Sequence, residues 1–127
     1  MEYTKEILKN YEDKIMADRF SADVAIEHNE TKLKELQSDI KAVLKRIKKT
    51  ATYLEELEAK KKDGIKDKEL REQNKNLIAV MQDDLIKRSQ KKTDLEGREA
   101  QIKKNIELYK DFLETADESL EIAKSKV

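Results

Sequence analysis

A chain of 127 residues carries 28 Lys and Arg against 28 Asp and Glu, is 44% charged, and has no Pro, no Cys, no Trp and two Gly. This is the composition of a helical rod or bundle, and it excludes a disulfide framework, cysteine-based zinc sites and a thick globular core; scarce β-branched runs and turn residues argue against a sheet. The formal net charge of zero removes the strong overall attraction for phosphate expected of a dedicated nucleic-acid binder.

In chain order, a first helix can begin at Thr4, whose hydroxyl caps it, with Tyr3 and Leu8 spaced for a hydrophobic staple. Leu8, Tyr11, Ile15, Ala22 and Ile26 supply one apolar face, widened by Tyr3, Ile7, Phe20 and Val24 beyond what a two-helix seam needs. The polar run Glu27 to Thr31 holds neither Pro nor Gly, so the helix continues. From Leu33 a heptad runs through Leu36, Ile40, Val43, Ile47, Thr50, Leu54 and Leu57 in alternating steps of three and four.

The strongest interruption follows at Gly64, the middle residue of the chain. Glycine is the usual residue just past a helix end. Lys60, Lys61 and Lys62 complement the negative end of the first helix dipole, and Asp67, Glu69 and Glu72 the positive end of the next. The alternation resumes at Ile78 and holds its phase through Met81, Leu85, Leu95, Ile102, Ile106, Tyr109, Leu113, Ala116, Leu120 and Ala123, interrupted by Arg88, Lys92 and Glu99.

The expected fold is therefore all-α: one helical-hairpin domain, a long antiparallel coiled coil with a first arm of about 4–62, a bend at 63–66 and a second arm of about 67–126. Folding at Gly64 places Leu57 opposite Arg71, Ile47 opposite Met81 and Ile15 opposite Leu113. The competitor is a four-helix bundle with extra bends near Asn29 and Thr93, because Thr93 and Glu96 have capping-box spacing and Gly97 follows.

Charge is unevenly distributed. Residues 1–30 net −4, 31–50 net +5, 85–104 net +4 and 105–127 net −3. Lys41, Lys45, Lys48, Lys49, Lys87 and Lys91 form a candidate basic face for an acidic protein or for phosphates, although no aromatics interleave with them. Tyr3, Tyr11, Phe20, Tyr109 and Phe112 all fall in the open half, and with Ile7, Val24, Leu108 and Ile122 they make more apolar surface than two helices can hide. Tyr3, Ile7, Tyr11, Phe20, Phe112 and Leu120 are the candidate association surface, through which the open end of the hairpin would dimerise or dock a protein.

No catalytic, metal or cofactor signature is present in the sequence. His28 stands alone in a polar stretch, and there is no phosphate loop, His-Glu-x-x-His or EF-hand spacing. The expectation is a non-enzymatic adaptor, scaffold or inhibitor that uses no cofactor. The lysine bias points to a bacterium or phage, and the lack of an apolar signal or membrane-length run to the cytoplasm, without a membrane partner. Two alternatives are a nucleic-acid-associated protein using the lysine face and a chaperone-like holdase using the spare apolar surface.

Overall fold

The computed structural model describes residues 4–126, and among them it contains two α-helices and no strand. Helix α1 (Lys5–Asp63) and helix α2 (Lys68–Lys124) pack against each other as a helical hairpin. None of the helices is long and apolar enough to cross a membrane. Tyr3, and with it the expected staple, lies outside the described residues.

Three of the four helix ends are closed by the chemistry that their residues dictate. The Thr4 hydroxyl accepts the Ile7 N–H at 3.2 Å, satisfying one of the free donors that begin a helix. Gly64 adopts φ +90° and its N–H reaches back to the carbonyls of Lys60 and Lys61 at 3.2 and 3.3 Å. An L side chain is strained in that conformation, so glycine ends α1 here. Asp67 then starts α2: its carboxylate accepts the N–H groups of Glu69 at 2.8 Å and Leu70 at 3.2 Å.

That cap moves the connection to residues 64–67, one residue later than the periodicity suggests, and it corrects the register. The Leu57 carbonyl meets the side-chain amide of Asn74 at 3.1 Å, whereas Arg71, its expected neighbour, is exposed. The turn is centred between Ile65 and Lys66 rather than on Gly64.

The inter-helix packing falls into two compact units. In the bend unit, Leu36–Arg98, the seam is built from large aliphatic side chains, with Val43, Leu57, Ile78 and Leu95 buried and Ile40, Ile47, Leu54, Met81 and Leu85 half-buried. Asn74 is buried among them, with its amide satisfied. A buried, paired Asn in an apolar seam fixes register at some cost in stability. Arg88, Lys92 and Glu99 are half-buried and bind partners one turn away on their own helix, Asp84, Glu96 and Lys103, at 2.7, 3.7 and 3.8 Å. Asp84 also accepts a hydrogen bond from the Thr50 hydroxyl of α1 at 3.3 Å. The Arg88 hydrogen bond holds the Asp84 carboxyl below its ordinary range, with smaller help from Thr50 and the charge of Arg46.

The terminal unit comprises the chain up to Glu35 and from Glu99 onward. Its seam is smaller. Ala22, Ala116 and Ala123 are buried beside Ile15 and Ile106, and Arg19 pairs with Asp117 across the two helices at 3.2 Å. All the buried side chains of α1 (15, 22, 43, 57) are multiples of seven apart, as an unslipped heptad requires.

The four-helix alternative fails on both of its bends. α1 runs through Asn29, whose side-chain amide donates to the Ala25 carbonyl at 2.7 Å, inside the helix. α2 runs through Thr93, whose hydroxyl donates back to the Ser89 carbonyl at 3.1 Å instead of capping a new helix, while Glu96 pairs with Lys92. Gly97 therefore lies in a helix interior, with open space where a Cβ would stand. Gly97→Ala is expected to stabilise the protein by about 1 kcal/mol, the propensity difference between the two residues. Urea denaturation followed by circular dichroism reads this directly, and an unchanged midpoint would mean that the helix is not continuous there.

Candidate protein-interaction site

The C-terminal half of α2 divides its surface three ways. Ile102, Ile106, Leu113, Ala116, Leu120 and Ala123 face the seam and are buried or half-buried. The outward stripes that hold Lys103, Lys104, Glu107, Lys110, Asp111, Glu114, Asp117, Glu118, Glu121 and Lys124 are charged at every position and exposed. Between seam and charges on the other flank runs a stripe of Gln101, Asn105, Leu108, Phe112, Thr115, Ser119 and Ile122, with no charge at all. In a chain that is 44% charged, seven consecutive uncharged positions on one flank mark a surface of different character.

Helix α1 continues that flank. A hollow of about 760 Å³ is lined by Asp18, Ser21, Ala22 and Ala25 of α1 and by Asn105, Leu108, Tyr109 and Phe112 of α2. A second, of about 330 Å³, lies between Ile7, Leu8 and Tyr11 of α1 and Ser119, Ile122 and Ala123 of α2, with Lys126, just past the end of α2, closing it as its one charged residue. Tyr11, Asp18 and Ala25 are seven apart, as are Asn105, Phe112 and Ser119, so both hollows open on the same side of the terminal unit. Their origin is the small seam. Alanine at 22, 25, 116 and 123 leaves nothing bulky beneath the surface, and the large side chains stand at the rim: Leu108 is 58% exposed and Phe112 44%.

Of the six side chains expected to associate, Ile7, Tyr11 and Phe112 line these hollows. Leu120 belongs to the seam and is half-buried. Phe20 is 70% exposed but lines neither hollow; five residues after Ile15 and two before Ala22, it projects from the flank away from the groove. Met16 and Val24 are exposed without lining it either. Leu108, Tyr109 and Ile122 complete the groove; the sequence places them in the surplus apolar surface of the open half, though outside the six. What separates them from Phe20 and Val24 is the absence of charge along their flank.

The six lysines are all in the bend unit and all exposed, and on α1 they are spread over more than one stripe. Lys41 and Lys48 are seven apart and share a stripe with Lys45 beside it, Lys49 is turned about 100° from Lys48 by the helical rise, and Lys87 and Lys91 stand on α2. Acids interleave with them. Lys87 is bound to Asp83 at 3.0 Å, and that hydrogen bond raises its pKa above the ordinary lysine value. Over whole units the balance is still lopsided: residues 36–98 hold 17 Lys and Arg against 12 Asp and Glu, and the terminal unit 11 against 16.

Among the described residues no three of His, Cys, Asp and Glu gather in a way that could hold a metal ion, and His28 is exposed. No protein family, no curated protein and no solved structure matches this chain.

Proposed function

We propose that the chain is a non-enzymatic coiled-coil interaction module, a small adaptor, scaffold or inhibitor, that docks an apolar helical surface of a protein through the uncharged flank of its terminal unit. The observation that carries this reading is the segregation along α2. Every outward position between Lys103 and Lys124 on two stripes is charged, while the third stripe has Leu108, Phe112 and Ile122 standing half-exposed among Asn, Thr, Ser and Gln. Solvated coiled-coil flanks carry charges, whereas a contiguous apolar strip with uncharged polar neighbours has the composition of an interface core. The shallow, Ala-floored hollows accept the ridge of a helix, as in groove recognition by apolar residues three and four apart.

The chain contains no cysteine, so single thiols report on single positions. Leu108→Cys and Phe112→Cys, labelled with a maleimide, are expected to react several-fold more slowly in concentrated extract of the producing cells than in dilute pure solution. Glu114→Cys and Glu118→Cys, on the charged stripes, keep the same rate in both. Equal behaviour at all four positions would sink the docking surface.

A further inference from the structure

We infer that the occupant of this groove is a second copy of the same chain, related by a two-fold axis that lays one terminal unit over the other. This rests on the docking reading above and names its partner.

Three features of the groove are complementary to itself. The larger hollow sets a notch beside a ridge: Ser21, Ala22 and Ala25 on α1 are small, and Leu108 and Phe112 on α2 are large. A two-fold axis brings the ridge of each copy onto the notch of the other, so that one patch supplies both halves of an isologous contact. Side chains that are half-exposed in the isolated unit then fill space that its own alanine seam leaves empty, and two two-helix layers become a four-helix layer with a common core.

The second feature is charge. On the α1 side of the flank only Lys14 and Asp18 are charged among the positions between Ile7 and Ala25 that stack with the groove residues. They have opposite signs and are one turn apart, so antiparallel apposition sets each against its opposite in the other copy. A partner with a uniformly basic or acidic face would leave one of them against a like charge.

The third is the placement of the remaining charge. The terminal unit nets −5, which opposes pairing of two copies at long range, but the charges within α2 lie on the stripes away from the groove, and the one charge beyond the helix that lines it, Lys126, is basic and offsets the acidic excess. Salt screens that repulsion without touching the apolar contact. Self-association should therefore hold or strengthen as salt rises from roughly 0.05 to 0.5 M, where the Debye length shrinks several-fold. Capture of a cationic helix would weaken over the same range.

Sedimentation equilibrium of the full chain tests the inference. The expected mass is twice 14.9 kDa at micromolar concentration, with no loss of association at high salt. Leu108→Glu with Phe112→Glu, on the ridge, and separately Ala25→Glu, in the notch, are expected to return it to 14.9 kDa with unchanged circular dichroism. Phe20→Glu, off the groove, leaves the dimer intact. Because the ridge and notch variants lie on different helices, one misfolded variant does not remove the test. A wild-type monomer whose position 108 is nevertheless protected in cell extract overturns the second copy as occupant and leaves the docking surface standing. A dimer that survives both groove variants overturns the groove as the self-contact, and if position 108 also shows no protection in extract, the docking reading falls with it.

Discussion

Leu57→Ala is expected to cost about 2–5 kcal/mol of folding free energy, the range for truncating a buried leucine when the surroundings cannot close the gap. Leu57 is 3% exposed, the least of any buried hydrophobic residue named in the core. Its surroundings are held in place: α1 ends six residues later at Asp63, and the Leu57 carbonyl is tied to the Asn74 side chain of α2. Neither helix can slide to fill the space without breaking that hydrogen bond. The lost transfer energy is thus joined by the cost of the remaining cavity. Urea denaturation followed by circular dichroism measures the loss, and a value below about 1 kcal/mol, typical of surface changes, would show that Leu57 is not the seam residue its burial implies.

Gly64→Val is expected to destabilise by about 1–3 kcal/mol, the usual cost of holding a non-glycine residue in a sparsely populated backbone region. Nothing lies within 4 Å of the position a Cβ would take, so crowding contributes nothing and the whole effect belongs to the backbone at φ +90°. This makes a graded comparison informative. Gly64→Asn should lose less than Gly64→Val, because Asn tolerates the left-handed region and a β-branched residue does not. Equal losses for the two, or none, would mean that the link between the helices does not depend on this conformation.

Most of the seam was legible because a heptad is a covalent regularity: the apolar heptad positions from Leu33 through Leu57 and from Ile78 through Ala123 occupy the interior in the phase that the spacing demands, except Tyr109, which is exposed and lines the groove instead. The bend was legible for the same kind of reason, since Gly64 is the one residue with strong helix-ending character between two runs of correct phase. The register was not. It depends on the length of the connection and on which side chain meets Leu57: Asp67 caps α2 through Glu69 and Leu70, and Asn74 rather than Arg71 reaches the Leu57 carbonyl, neither of which charge signs alone specify. Asn74 carries no signal in the sequence, because its burial is compensated by a carbonyl seventeen residues away, which no local pattern records. Thr93 misled in the opposite sense. Its spacing to Glu96 matches a capping box, but a threonine hydroxyl inside a helix is equally satisfied by the carbonyl one turn back. The groove was half legible: Ile7, Tyr11, Leu108, Phe112 and Ile122 stand out as surplus apolar surface, but so do Phe20 and Val24, and only the charges mapped onto stripes separate the flank that holds the groove from the one that does not.

The short connection at 64–67 has a further consequence for how the chain holds itself together. Among the described residues it is the only segment between two helices of 59 and 57 residues, and Gly64 and Asp67 serve the helix ends they close rather than any distant contact. The link therefore acts mainly by effective concentration, which for short tethers is of millimolar order. It keeps α1 beside its own α2 in preference to the α2 of a neighbouring molecule, and it does so by proximity, since the seam residues of any copy match equally well. The fidelity of each chain to itself is thus an entropic property of four residues, while the strength of the pairing resides in the two helices.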